Sequence, residues 1–464
     1  MATVMRRIGV VGSLAGLAGL ALVWSALVPQ PIAAAETRAV AVDVSSVAKR
    51  PTPFLTGMAV HFGIGGEYGY DPLRSAALLG ELRAQSYRDD LPWDMFDWPS
   101  ASHYQARKDR VFAMLEASRV TPVLIINSPN PTVTDGNPPL TAVGRAAFSN
   151  FAMRAVHETK RFRPIYEIWN EWNMNAGEKP NEHRPWLLGP GDPSDPRAAV
   201  HYIALAKAAV PAVKRIAPDA TVLVGAVGMD DGWPWTDAII QGGALEGADG
   251  LSVHLYNHCE RKLSDRSATQ MVDRLEDLQT ILHRRLGREF PVYVTEFGWP
   301  TVPVQCVITQ EAAAANIAQF FLWSSTIPWI KGSWLYQLKN KGRNPNEMED
   351  NFGLYDYDYK AKPMACPVKD ALQILAEMPN AKSERPFRDV FLVYGETESG
   401  TRLIAWTSRP EIQASLSISD NPPLSSRPLC GTAGPAGGSV KLGPMPTVIE
   451  LGKQFRGNAN VELR

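Results

Sequence analysis

The chain has 464 residues, with 47 Lys and Arg against 48 Asp and Glu, for a formal charge of −1 at pH 7. Apolar residues make up 45% and charged residues 20%, an ordinary globular composition, and the 36 Gly and 37 Pro are too dispersed for a collagen-like or low-complexity protein. A near-neutral chain has no net electrostatic drive toward polyanions, so no nucleic-acid partner is expected.

Residues 1–35 read as an export leader. Arg6-Arg7 form the positive start, an apolar run covers Ile8–Val28, and Ala33-Ala34-Ala35 offers a small-residue cleavage site before Glu36. The run is also long enough to span a bilayer, so an uncleaved N-terminal membrane anchor is the alternative. On either reading the body of the protein is expected outside the cytoplasm, periplasmic or secreted. Four cysteines, Cys259, Cys306, Cys366 and Cys430, suit an oxidising compartment; three disulfide pairings are open, as is a set of four free thiols. Neither C-x-x-C nor H-E-x-x-H occurs, so no metal site is expected.

Residues 36–52 read as a linker in which Val40–Val47 alternates like one short strand. From there short apolar runs alternate with helix-period segments. The strand-like runs are Phe54–Phe62, Gln85–Asp90, Pro122–Asn127, Pro164–Asn170, Thr221–Val227, Gly250–Tyr256, Pro291–Phe297 and Gly332–Leu338. Helical segments are predicted over Leu73–Arg83, Tyr104–Ser118, Gly144–Lys160, Arg197–Ile216, Trp235–Gln241, Ala268–Leu286, Gln310–Thr326 and Pro363–Ala376. Eight such units predict a parallel α/β fold closed as a (β/α)8 barrel over residues 53–382. The Gly63, Gly65, Gly66 and Gly69 turn matches no phosphate-binding spacing and reads as a barrel rim. Beyond it, Val390–Tyr394, Leu403–Thr407, Ala414–Ile418 and Thr447–Leu451 are short strands without helices. They predict a small sandwich-like β-domain over 383–464, joined by Val40–Val47 as a further strand.

The chemistry of such a barrel sits where the strands end, because the βα loops converge there. The fourth run continues as Glu167-Ile168-Trp169-Asn170-Glu171-Trp172, and the seventh as Val294-Thr295-Glu296-Phe297-Gly298-Trp299. Alternation along the seventh puts Val292, Val294 and Glu296 on one face, the interior one. Runs four and seven lie on opposite sides of an eight-stranded barrel, so Glu171 and Glu296 face each other across the mouth. Glycosidic cleavage needs such a pair. Glu167, two layers deeper, is expected to be buried and paired.

These two segments resemble the acid/base and nucleophile strands of clan A glycoside hydrolases, closest to family 39 and the related endoglycosidases of bacterial exopolysaccharide gene clusters. The resemblance covers the barrel. It implies Glu171 as general acid/base and Glu296 as nucleophile, retention of configuration, and Asn170 on the sugar 2-hydroxyl. Trp334 resembles the aromatic platform under the sugar. Trp172 stands where the family usually has Pro. No cofactor is implied, since acid, base and nucleophile are all side chains.

Further substrate-binding candidates come from position. His254 and Tyr256 share a face beside the nucleophile strand, Tyr256 being the natural donor to Glu296. Arg88 ends the second run with Asp89-Asp90, and Trp299, with Trp93, Trp98 and Trp233, lies past a strand end where flat rings can stack on sugars. Trp169 and Trp172 are placed to raise the pKa of Glu171. Neighbouring loops would let Cys259 bridge Cys306 and brace the rim; Cys366–Cys430 would then tie the last barrel helix to the β-domain. The expected function is retaining hydrolysis of a β-linked polysaccharide, endo-acting. The alternatives are an exo-acting β-xylosidase-like or uronidase-like enzyme and a non-catalytic exopolysaccharide-binding assembly protein.

Overall fold

The computed structural model describes residues 37–45, 53–97, 102–174, 194–418 and 423–464, apart from residues 305, 436 and 454. The expected leader or anchor and Trp98 lie outside the described residues. Among those described, no helix is long and apolar enough to cross a membrane. Residues Thr37–Arg464 form one compact unit.

Strand β1 (Arg38–Asp43) precedes a closed barrel of eight parallel strands: β2 (Leu55–Ala59), β3 (Ser86–Pro92), β4 (Thr121–Asn127), β5 (Ile165–Ile168), β6 (Val222–Val227), β7 (Gly250–Leu255), β8 (Val292–Phe297) and β9 (Ile330–Leu335). Pairing of β2 with β9, Gly57 opposite Trp334, closes the ring. The strands read as apolar runs because both faces are covered, one by the barrel interior and one by helices. The principal helices are α1 (Pro72–Glu81), α2 (Asp94–Asp97), α3 (Ser102–Ala117), α4 (Ala142–Thr159), α5 (Ala199–Ile216), α6 (Pro234–Gln241), α7 (Ala268–Leu286), α8 (Gln310–Ser324) and α9 (Ala365–Glu377). Asp71, Thr141, Ser267 and Thr309 cap α1, α4, α7 and α8 by accepting from backbone N–H groups of the first turn.

The C-terminal region adds β10 (Lys382–Phe387), β11 (Val390–Glu396), β12 (Thr401–Thr407), β13 (Ala414–Ile418), β14 (Ser425–Pro428), β15 (Val440–Leu442), β16 (Thr447–Glu450) and β17 (Asn458–Leu463). One sheet runs β10-β11-β12-β16-β14 and the other β1-β17-β13-β15. The N-terminal strand joins the second sheet, Arg38 opposite Leu463 and Asp43 opposite Asn458. Sequence patterning misses β10, β14, β15 and β17 because they are short, polar or only partly buried.

The barrel interior corrects two expectations. Trp334 does not reach the mouth. It lies on the floor, fully buried with Tyr293, Val123, Ile165 and Leu223, and its Nε1 donates to Ser86 Oγ at 2.9 Å. Two glycines make room for it: a Cβ on Gly57 would sit 2.1 Å from the indole, and one on Gly332 2.6 Å. Tyr336, two residues further along the same face, lines the cavity at the mouth instead.

The parity on β8 is also reversed. Val292 and Val294 belong to the large core cluster that includes the helices, whereas Tyr293 joins the floor and Thr295 Oγ1 donates inward to Glu167 Oε1 at 2.8 Å. Simple alternation would then send Glu296 outward. Register shifts between Val294 and Phe297 against β9, and at His254 against β7, turn it back into the mouth.

Two disulfides are present, Cys259–Cys306 and Cys366–Cys430. The first links the loops after β7 and β8; the second links α9 to the turn after β14. The first is the pairing expected from neighbouring barrel loops, and the second is the pair that then remains.

Candidate active site

Four strands deliver one hydrogen-bonded cluster at the mouth. Arg88, from β3, is 3% exposed and is its hub. Its Nε donates to Glu167 Oε2 at 2.7 Å, Nη1 to Glu296 Oε1 at 2.5 Å and Nη2 to Asn170 Oδ1 at 2.7 Å. Burial works against a charged guanidinium, but the carboxylates of Glu167 and Glu296 outweigh it and the pKa of Arg88 rises. Asn170, with Oδ1 taken by Arg88, keeps its amide Nδ2 to offer to a ligand. Arg88 is therefore the group that orients the cluster, a role the sequence could not distinguish from a salt bridge with a nearby acid.

Glu296 is 8% exposed and held at both oxygens. Oε2 accepts from the Tyr256 hydroxyl at 2.5 Å, and His254 Nδ1 lies 3.7 Å away. Burial pushes this carboxyl up, but the charges of His254 and Arg88 and the hydrogen bonds from Tyr256 and Arg88 bring it down to about 2. Burial and the neighbouring Glu296 push the Tyr256 hydroxyl well above its ordinary pKa, so it remains a donor.

Glu171 sits in a different setting. Its side chain is 26% exposed and its Oε1 meets His254 Nδ1 at 2.8 Å. The other face of the imidazole, Nε2, is 3.3 Å from Arg88 Nη2. An arginine only donates, so in the neutral ring Nε2 accepts and Nδ1 carries the proton toward Glu171. Burial lowers the pKa of His254, but Glu296 and Glu171 outweigh it and the net shift is upward. The backbone that presents Glu171 is unusual: Trp169 and Glu171 have φ of 68° and 44°, and Glu171 N donates to Ala226 O at 2.9 Å. Left-handed conformations at two bulky residues cost about 1–3 kcal/mol each and persist only where the surroundings impose them. Here they lift Glu171 off the end of β5 and over the mouth.

One oxygen each of Glu171 and Glu296 and one nitrogen of His254 lie within 4.8 Å of one another. Both oxygens of Glu296 already accept hydrogen bonds from Arg88 and Tyr256, so the trio is a carboxylate pair with a positioning imidazole between them. The two carboxyls border a cavity of about 440 Å³ that also receives Asn170, Tyr256, Arg88 and Tyr336.

Trp299 does not take part. It is fully buried behind β8, edge-on to Phe297, with Nε1 donating to Arg266 O. Trp93 stacks on Phe151 and Trp233 Nε1 donates to Arg274 O, each nearly inaccessible. Trp169 and Trp172 pack on each other and toward Phe148 and Tyr202. Their indoles serve the layer between strands and helices, where large flat apolar surface is most strongly stabilised.

Sequence reasoning missed several lining residues. His61, at the end of the first barrel strand, has both ring nitrogens without a hydrogen-bond partner and lies 3.8 Å from Asp90 Oδ2. Asp90 faces the cavity and accepts from Asn127 Nδ2 at 2.7 Å, while Asp89 turns away to accept from the backbone N–H of Phe62 and Gly63. Asp90 is one of the acids named with Arg88 at the end of the second run, and the same strand-end position is the signal for His61. Lys341 and Glu349, paired at 2.7 Å, arrive from the long loop after β9, for which no local signal exists.

No protein-family model matches the chain, and no curated protein matches it either. Solved structures do. A family 39 glycoside hydrolase from the gut symbiont Bacteroides cellulosilyticus is 19% identical, with 88% of this chain and 82% of that one covered at a TM-score of 0.65. The family 39 enzyme from Xanthomonas axonopodis pv. citri is 12% identical, with 90% and 95% covered at 0.54. A family 30 endoxylanase from Clostridium papyrosolvens is 10% identical, with 90% and 97% covered at 0.52. At these identities the likeness is one of fold: this chain has the barrel and β-domain architecture of family 39 and related clan A glycoside hydrolases.

Proposed function

We propose that the protein is a retaining glycoside hydrolase acting outside the cytoplasm on a β-linked polysaccharide. The carrying observation is the pair of carboxyl oxygens within 4.8 Å, one carboxyl hydrogen-bonded at both oxygens, the other partly exposed. Retaining enzymes hold their two carboxyls about 5–5.5 Å apart, whereas inverting enzymes leave about 6.5–9.5 Å for a water.

In this reading Glu296 attacks the anomeric carbon as the bond to the leaving oxygen breaks, and Glu171 gives that oxygen its proton. The glycosyl ester on Glu296 is then hydrolysed. Glu171, now ionised, takes a proton from water, the water oxygen bonds to the anomeric carbon, and Glu296 departs as a carboxylate. Arg88 and Tyr256 hold Glu296 in its ionised form and on line. Asn170 Nδ2 is the donor for the sugar 2-hydroxyl, and His254 orients Glu171 through Nδ1. Export rests on the leader-like residues 1–35 and agrees with two disulfides. Endo action rests on the resemblance to exopolysaccharide endoglycosidases.

A panel of polysaccharides, xylan included because solved neighbours are an endoxylanase and a β-xylosidase, tests this by release of new reducing ends. Oligomeric products support endo cleavage and monomers support exo. Glu171→Gln and Glu296→Gln should each lose about a thousandfold or more in kcat with the fold intact. A variant at wild-type rate removes its residue from the mechanism, and polymer binding without new ends favours the assembly-protein reading.

A further inference from the structure

Resting on that reading, we infer that the leaving group is received by an apolar wall of two methionines, Met174 and Met229, and so presents an apolar face, either an aryl ring or the C–H face of a 6-deoxy sugar. The wall's position follows from the acid. Glu171 must reach the leaving oxygen, so whatever departs lies on the β5 and β6 side of the barrel, opposite β9 and β2.

Both methionines line the cavity on that side. Met174 N donates to Glu171 O, and a Cβ on Gly228 would lie 2.2 Å from Met174 Cγ and 3.2 Å from Glu171 Oε1. Gly228 is thus the bare surface over which the thioether and the carboxyl lie side by side. Asn173, 1% exposed, holds the two methionine segments together: its Nδ2 donates to Met229 O at 3.0 Å and its Oδ1 accepts from Gly228 N at 2.9 Å. Met229 is nevertheless 48% exposed, apolar surface left uncovered beside the acid.

The opposite side of the cavity is mixed: His61 and the Lys341–Glu349 pair stand among Tyr68, Tyr336, Met348 and Phe352, with Asp90 nearby on β3. Hydrogen bonding there suits a sugar gripped by its hydroxyls. Thioethers are flexible and polarizable and match C–H and ring faces without fixing one shape, so the wall selects for an apolar face and tolerates variation in it.

The test uses the full chain labelled at its methionine methyl carbons, carrying Glu296→Gln so that added glycosides persist. Resonances are assigned by Met174→Leu and Met229→Leu. 4-Nitrophenyl β-glycosides, 6-deoxyhexosyl disaccharides and methyl β-glycosides of the same sugars are the probes. Shifts of both resonances with nitrophenyl compounds identify an aryl face, and shifts with deoxy disaccharides a sugar face; in either case methyl glycosides should leave them in place. Equal shifts with methyl glycosides, or none with any probe, overturn the wall. In the otherwise native enzyme, Met229→Ser should lower kcat/KM about fivefold for the probe that shifts the resonances and leave the methyl glycoside unchanged. Turnover without methionine shifts sinks the wall alone, whereas shifts without turnover of any probe or polymer sink the hydrolase reading.

Discussion

At the floor of the barrel, Trp334, Tyr293, Val123, Ile165 and Leu223 fill the interior with apolar volume. A layer or two higher, Arg88, Glu167, His254 and Glu296 from β3, β5, β7 and β8 fill it with charge. The two regions share β5 and β8, along which they differ in depth. Trp334 and Tyr336 show it most directly, since they lie on one face of one chain segment and end up in different regions. Glycines at 57, 250 and 332 make the floor deep enough for its rings, whereas the mouth is limited by charge balance, one guanidinium against two carboxylates.

The sharpest way to break the charged layer is Arg88→Met. It leaves Glu167 and Glu296 buried without their counter-charge, and removing one partner of a buried pair costs about 3–5 kcal/mol. Urea denaturation should show that loss, and hydrolysis should be abolished in the fraction still folded. Full stability in this variant would mean the carboxylates had found other partners.

Trp334→Ala should divide the two regions. It empties the floor at about 3–5 kcal/mol, with kcat/KM of the folded enzyme unchanged. Tyr336→Ala should invert that pattern, lowering kcat/KM with the smaller loss of stability. If Trp334→Ala instead weakened catalysis at full stability, the floor would have to be counted as part of the site.

The smallest expected effect lies within the mouth. Tyr256→Phe removes a hydrogen bond that favours the ionised form of Glu296, so the carboxyl pKa must rise from about 2. An acid limb of kcat/KM governed by Glu296 then moves toward higher pH, by about one pH unit for a hydrogen bond to a charged group. A limb that stays in place or moves down would show that Arg88 and His254 hold Glu296 without the tyrosine.

The barrel and the strand-end glutamates were legible because both rest on local rules. Eight apolar runs spaced by helix-period segments have few closed arrangements, and a carboxylate just past a buried strand is costly unless it faces a mouth. Tryptophans misled for the same reason they are informative elsewhere. Trp299 and Trp233 stand in loops by sequence, yet burial of a large ring is worth more than its position suggests, and their indole N–H groups found backbone carbonyls. Lys341 and Glu349 were invisible because a long loop brings them to the cavity, and sequence separation carries no distance.

The amino-acid order alone determined the alternation of strands and helices and the terminal acids of the fourth and seventh barrel strands, while it left the cysteine pairing open. Tertiary structure decided how Glu296 comes to face the mouth, since Val292 and Val294 point outward and only the register shifts against β7 and β9 separate Glu296 from them. It also decided that Arg88 serves two carboxylates at once and that Tyr336, not Trp334, lines the mouth. Periodicity is a property of one strand, whereas register and depth are properties of the closed ring, set by what the neighbouring strands leave room for.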